Sequence, residues 1–212
     1  MTSLTELWPA FGLVVRSGDL RMTTITDADL PGLVDLVRSG IHAEEAMPFA
    51  VPWTRESDIA RSFAGYHWGV RASSTPDDFR LDLAVRRGDE LVGAQGFSAK
   101  GYPVARTAET GSWLARRFQG AGVGTRMRQA VCALLFDHLG AAEVTSGAWV
   151  DNPASLAVSR KVGYRQTDVA RQSREGRLAL HAQLRLGPAD LVRGDPVEVS
   201  GAEPLRAFLG VG

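Results

Sequence analysis

Residues 116–128 read RRFQGAGVGTRMR. Glycines occupy positions 120, 122 and 124, and Arg116, Arg117, Arg126 and Arg128 stand around them. A strand pattern at 108–118 precedes the glycines. A helical pattern follows, with Met127, Ala130, Val131, Leu134 and Leu135 on one face. A loop between strand and helix carries the first N–H groups of the helix and the positive end of its dipole. Glycine removes the side chains that would keep an anion away, and arginine adds charge that phosphates pair with. A di- or polyphosphate is the natural ligand of such a loop. A nucleotide P-loop needs Lys-Ser/Thr after its last glycine, and Thr125-Arg126 follows here instead. A dinucleotide fingerprint needs G-x-G-x-x-G early in a βαβ unit. Here the spacing is G-x-G-x-G, past the middle of the chain and behind Arg116, Arg117 and Gln119.

Outward from the loop, residues 11–25 read as one or two strands around a Ser17-Gly18-Asp19 turn. A helix follows with Leu30, Leu33, Val34 and Val37 on one face, Asp27 or Asp29 as its cap, Pro31 in its first turn and Gly40 closing it. Residues 41–56 hold two prolines and no period, which predicts an irregular loop carrying Met47, Phe49 and Trp53. A second helix is expected from Glu56 to Val70, capped by Thr54. Leu81, Leu83 and Val85 alternate, and a turn at Gly88-Asp89 leads to a strand at 91–99. Beyond the loop helix, Val144, Ser146, Ala148 and Val150 share one side of a strand at 143–150. Asn152 as N-cap, Pro153 at the first position and Gly163 past the end write out a short helix. Residues 177–186 alternate and pair with 165–173. The order β, α, α, β, β, β, loop, α, β, α, β, β predicts a single α/β (α+β) domain on a mixed sheet. The domain is expected over 1–187. Residues 188–212 are expected as an extension that packs on it or on a partner subunit.

The 212 residues suit one domain of ordinary size, and 44% hydrophobic with 23% charged residues is globular composition. A formal net charge of zero gives no bulk pull toward nucleic acid or anionic membrane. The N-terminal stretch makes a poor signal peptide, and no run reaches the 18 or so apolar residues of a membrane helix. Cys132 is the sole cysteine, so no internal disulfide forms, and mid-helix it reads as core. A cytoplasmic protein is expected, with no nucleic-acid or membrane partner. Homo-oligomerisation is left open.

Gln119-Gly120-Ala121-Gly122-Val123-Gly124 matches, letter for letter, the Gln/Arg-x-x-Gly-x-Gly/Ala loop of the Gcn5-related N-acetyltransferase (GNAT) superfamily. Asn152, Ser155, Val158, Lys161, Gly163 and Tyr164 stand at the spacings of the segment that follows it there. The stretch ETGSWL, 109–114, resembles the strand before the loop in the Rim-type branch of ribosomal-protein N-acetyltransferases. Over roughly residues 10–187 the chain is similar to that branch. MPFAVPWT, GSWLARRFQGAGVGT and VDNPASLAVSRKVGY together resemble actinobacterial GNAT proteins described as succinyl-CoA transferases.

The resemblance implies a mostly antiparallel sheet splayed open at an acyl-CoA site. It implies acetyl-CoA or succinyl-CoA as donor, no metal, and an amine acceptor: a protein N-terminus, a lysine or a small amine. The N–H groups around Gln119, Gly120, Ala121, Gly122, Val123, Gly124 and Thr125 would hold the pyrophosphate. Main-chain groups near Trp113 and Leu114 would hold the pantetheine, and Asn152 and Ser155 would line the thioester. Arg160 or Lys161 reaches the outer phosphate, or simply lies on a solvated helix face. The superfamily's acid tyrosine is Ser159 here, and the Rim-type serine is Ser155. For the base, Glu175 lies one residue from the Rim-type glutamate and Glu109 heads the strand beside the loop. His42, Glu44 and Glu45 sit in the aromatic loop, with Phe49 and Trp53 suited to a lid over the acceptor. Gln95, Ser98 and Lys100 mark a strand end where a succinyl carboxylate would find Lys100. His181, opposite the leucine face of its strand, reads as structural. The alternatives are an acyl-CoA-binding sensor or assembly module without turnover, and an NAD-binding domain.

Overall fold

The computed structural model describes residues 1–211. A short helix α1 (Leu4–Leu7) leads through a 3₁₀ turn into the hairpin β1 (Val14–Ser17) and β2 (Leu20–Thr24). There follow α2 (Leu30–Arg38), α3 (Ile59–Ser73), β3 (Asp78–Arg87), β4 (Glu90–Lys100), α4 (Tyr102–Ala105) and β5 (Thr107–Leu114). The glycine loop opens α5 (Val123–Ala133), which widens into a π turn at Leu134–His138 before β6 (Glu143–Trp149). Then come α6 (Pro153–Val162), β7 (Arg165–Arg174), β8 (Arg177–Leu186), β9 (Val197–Ser200) and α7 (Ala202–Phe208).

The strands form one sheet in the order β7-β8-β6-β5-β4-β3-β2-β1-β9. Every neighbour is antiparallel except β5 and β6. Strand alternation sends Phe79, Leu81, Leu83 and Val85 of β3 to one face. There they meet Met127, Val131, Leu134 and Leu135 of α5 in the larger core. Leu30, Leu33, Val34 and Val37 of α2 join Phe63 of α3 on the other face, against Ala84 and Ala94. Each large side chain buried this way contributes about 1.5–3 kcal/mol.

Several boundaries move for local reasons. The first strand starts at Val14, because Pro9–Gly12 forms a 3₁₀ turn. Asp29 does precede α2, but its carboxylate turns back to accept from Thr26 N–H (2.8 Å) and Thr26 Oγ1 (2.7 Å). Asp27 instead binds Arg71 (2.6 Å). The next helix begins three residues later than Glu56, at Ile59, and Asp58 caps it by accepting from Arg61 N–H (3.1 Å). Thr54 lies in a preceding 3₁₀ turn and caps nothing. The strand expected to reach Phe118 stops at Leu114, with a 3₁₀ turn at Arg116–Phe118. Val150 is exposed, because β6 ends at Trp149 and the chain turns, Asn152 N–H donating to Trp149 O (2.9 Å).

The C-terminal segment packs on this body. β9 extends the sheet beside β1, and Leu205, Leu209 and Val211 enter the larger core.

Candidate active site

β5 and β6 are the parallel pair, joined by the loop and α5 as a βαβ unit. Their ladder spans only Thr107–Glu143, Ala108–Val144 and Glu109–Thr145. Beyond it β5 continues beside β4 to Leu114 and β6 beside β8 to Trp149, with no further pairing between them. Side chains take over at the root of this gap: Ser146 Oγ donates to Thr110 O (3.1 Å) and Thr110 Oγ1 to Thr145 O (3.3 Å).

Successive strand residues aim their main-chain groups at opposite neighbours. Ala115 N–H goes to Val92 on β4, and Val150 N–H to Leu180 on β8. Alternation therefore turns the groups of Ser112 and Leu114 into the gap from one side, and those of Gly147 and Trp149 from the other. Leu114 O is taken by Gln119 Nε2 (2.9 Å) and Trp149 O by Asn152 N–H (2.9 Å). The groups left in the gap are mostly N–H donors.

The glycine loop stands at the open end. Gly120 and Gly122 have φ of +77° and +80°, a region costing an L-residue about 1–2 kcal/mol. A Cβ on either would meet nothing within 4 Å. Backbone shape thus selects glycine, and the space before the loop is clear of side chains. The N–H groups of Gly120, Ala121, Gly122, Val123 and Gly124 have no acceptor among the described residues. Gln119 and Thr125, expected among the donors, turn theirs inward to Arg116 O and Gly122 O, both at 3.1 Å. The Gln119 side chain ties the loop to Ile41 O (2.8 Å) as well as to Leu114.

The arginines divide. Arg126 pairs with Asp19 (2.5 Å) and Asp195 (3.7 Å), and Arg117 with Glu90 (3.3 Å). Those two are spent on structure rather than on an anion. Arg116 is exposed and makes no ion pair among the described residues. Arg128 is 5% exposed and reaches under the gap. It donates to Ser112 Oγ (2.8 Å), Ser159 Oγ (3.1 Å) and Ser146 Oγ (3.4 Å).

Asn152 caps α6, its Oδ1 accepting from Ser155 N–H (3.1 Å). The Ser155 hydroxyl, half-buried one turn before Ser159, makes no hydrogen bond among the described residues. Arg160 and Lys161 are exposed on the far turn of α6. Trp113 faces the other side of the sheet, its ring 6.0 Å from that of Trp53.

On that other face a cleft of about 490 Å³ is lined by Glu109, Thr145, Gly147, His181 and Gln183, with Ser146 at its edge. The His181 ring lies over Gly147, where a Cβ would come 2.2 Å from its Cε1. It meets Trp149 edge-on, ring centres 4.8 Å apart. Burial lowers the His181 pKa, the Glu109 carboxylate pulling the other way. His181 Nδ1 is buried without a hydrogen-bond partner among the described residues. The histidine read as structural thus shares a cleft with Glu109. The signals were its place on the polar side of β8 and the glycine that makes room for it on β6.

Loop 41–56 covers the neighbouring part of this face. Phe49 and Trp53 pack ring to ring (5.1 Å), and Trp149 Nε1–H donates to Phe49 O (3.3 Å). His42 spends both ring nitrogens on the loop itself: Nδ1–H donates to Ala43 O (2.7 Å) and Nε2 meets Thr54 Oγ1 (2.8 Å). Glu44 and Glu45 are exposed. Glu175 sits at the β7–β8 turn with φ +51°, ion-paired to Arg55 at 2.8 Å. The pair ties the hairpin to the loop. Gln95, expected on the acceptor side, faces away from this cleft. It is fully buried on the α5 side opposite Ser112, and its amide donates to Gly111 O (2.9 Å) and Gly96 O (3.1 Å). Lys100 lies five residues further along β4, about 17 Å away and past the closed root of the gap.

A loop of free N–H groups thus stands before a gap between two parallel strands of an α/β fold. The family model described as an acetyltransferase (GNAT) domain matches residues 19–165. The chain belongs to this family. Among solved structures, Mycobacterium smegmatis RimJ in complex with CoA-disulfide is similar with a TM-score of 0.72 at 19% identity, over 94% of this chain and 95% of that one. RimL, the ribosomal L7/L12 alpha-N-protein acetyltransferase in complex with coenzyme A, is similar at 0.68 and 19%, over 82% and 97%. Spermidine N-acetyltransferase from Vibrio cholerae, in complex with CoA and spermine, is similar at 0.62 and 16%, over 81% and 97%. Likeness at these identities establishes the shared fold.

Proposed function

We propose that the chain is an acyl-CoA-dependent N-acyltransferase of the cytoplasm, moving an acetyl or succinyl group to a primary amine. The observation that carries this reading is the β5–β6 gap opening onto the row of unpaired N–H groups from Gly120 to Gly124. The clear space before the loop suits a pyrophosphate, and the gap, with donors on both edges, suits an extended pantetheine arm. Lys161 is exposed at the end of α6, where an outer phosphate would be reached.

The residues divide the chemistry between the faces of the sheet. Glu109 and His181 stand on the face opposite α5, suited to taking a proton from the incoming ammonium. Main-chain N–H groups turned into the gap suit an oxyanion on the attacked carbonyl. Ser155, with its uncommitted hydroxyl, stands on α6 where the thioester end would lie. An acceptor among primary amines of proteins or small molecules is in keeping with those named for RimL and the Vibrio cholerae enzyme, a ribosomal protein and spermidine.

The test is turnover. The pure protein is given acetyl-CoA or succinyl-CoA with peptides bearing free N-termini, lysine peptides and polyamines, and free thiol is followed. Amine-dependent thiol release is expected. Tight CoA binding with no release from any amine would favour the sensor or assembly reading.

A further inference from the structure

The side chain left without a counter-charge near the gap is Arg128. It is 5% exposed, and no carboxylate lies within 4 Å of it among the described residues. Its five N–H donors meet three neutral serine hydroxyls, Ser112 on β5, Ser146 on β6 and Ser159 on α6. Among the described residues its Nε is buried with no acceptor, and Gln95 Oε1, in the register position beside Ser112, is buried with no donor. Burying a guanidinium without an anion is costly. A hydrophobic side chain at this position of α5 would pack against the same strands without that cost. The arrangement makes sense where a negative charge appears beside it during function.

Acyl transfer from a thioester creates one there. The amine's electron pair forms the C–N bond, and the C–S bond breaks with its pair going to sulfur. The amine's surplus proton leaves through the base on the opposite face. We infer that Arg128, with the Ser112 and Ser159 hydroxyls it orients, forms a thiolate site that stabilises the departing CoA sulfur as an anion. This rests on the acyl-CoA reading above. It also supplies a leaving-group role without a tyrosine: the hydroxyls donate to sulfur, and the guanidinium carries the charge.

The surrounding groups leave that charge uncompensated. On α5, burial pushes the Cys132 thiol up to about 11, against the Tyr164 hydroxyl and Arg128, which pull it down. Burial likewise holds Tyr164 well above the ordinary phenol range. Both are neutral at pH 7. Glu109 on β5 and His181 on β8 face the opposite side of the sheet. Arg160 and Lys161 lie on exposed positions of α6. Cys132 is sealed in the core, whereas a sulfur in the gap would meet the guanidinium and two hydroxyls directly.

The experiment is titration of the thiol of bound product. CoA is saturated onto the wild-type chain, and thiolate absorbance near 240 nm is followed against pH, with free CoA as reference. Bound CoA is expected to ionise at least one pH unit lower than free CoA, a tenfold gain of thiolate over thiol. Arg128→Gln should abolish the shift and Ser159→Ala reduce it. Arg128→Lys should keep part of it, and affinity for acetyl-CoA, which has no thiol, should change less than threefold in Ser159→Ala. Bound CoA that ionises like free CoA in the wild-type chain overturns the inference and leaves the acyl-CoA reading intact. CoA that does not bind overturns both. If Arg128→Gln does not fold, the wild-type and Ser159→Ala titrations decide.

Discussion

Gly122 shows how a single position can carry two demands. Its φ of +80° disfavours any side chain, and the space before it is where a phosphate would lie. Gly122→Ala should cost about 1–2 kcal/mol of stability and remove most of the stabilisation that CoA gives, both read from thermal unfolding with and without ligand. A variant that loses stability but keeps the full CoA response would show that the loop does not hold the ligand. The glycines were legible in the sequence because their spacing serves the backbone. The arginines beside them were not. Arg126 and Arg117 bind Asp19 in the β1–β2 turn and Glu90 at the start of β4, partners distant in sequence that no local pattern announces. Gln95 misled for the same reason: its strand was visible, but the face it turns depends on the register with Ser112. His181 carries a pH signature. Its folded pKa lies below the ordinary value because burial disfavours the charged ring. The stability this contributes is present above the unfolded value near 6.5 and lost as pH falls through the folded one. A base that must be neutral gives kcat/KM an acid limb below about 6.5. Glu109→Gln and His181→Gln should each lower kcat by about 10²-fold or more, and His181→Gln should flatten that limb. An unchanged acid limb in His181→Gln would remove it from proton transfer.

Among elements, the loop at 41–56 has the most to say about access. Its irregularity was readable from its prolines, but not its attachment. It is held to the β7–β8 hairpin by Arg55–Glu175 and by Trp149 Nε1–H on Phe49 O. An exposed ion pair is worth about 0–1 kcal/mol, so the strut orients the loop more than it stabilises the fold. Glu175→Gln should raise the acceptor's KM severalfold and leave kcat within about threefold in steady-state kinetics. A loss of kcat by two orders of magnitude would restore Glu175 as a base. The helix punctuation was legible at α6, where Asn152, Pro153 and Gly163 act as written. It failed at α3, because Thr54 and Asp58 are both competent caps and tertiary packing selected the second.

At the scale of the molecule, the succession of strands and helices was visible and the sheet order was not, because order rests on pairings between distant segments. β6 inserts between β5 and β8, and β9 returns to the edge beside β1. That return makes the C-terminus part of the body: Leu205 and Leu209 are 0% and 1% exposed. Leu205→Ala should cost about 2–5 kcal/mol, measured by denaturant unfolding. A chain ending at 187 should lose cooperative unfolding or precipitate, since it uncovers both the β1 edge and that core. A truncated chain as stable as the full one would show that the extension contributes nothing.

The gap between β5 and β6, facing the glycine loop, is what makes the chain an acyl-CoA enzyme in this reading. The most direct measurement is thermal unfolding of the full chain with CoA, acetyl-CoA, succinyl-CoA and NADH. At about 100 times its dissociation constant, a ligand of the folded state adds roughly 2.7 kcal/mol, a rise in Tm of about 5–10 °C for a chain of this size. The expected result is such a rise with each CoA species and none with NADH. No rise with any CoA species, or a rise with NADH alone, would contradict it.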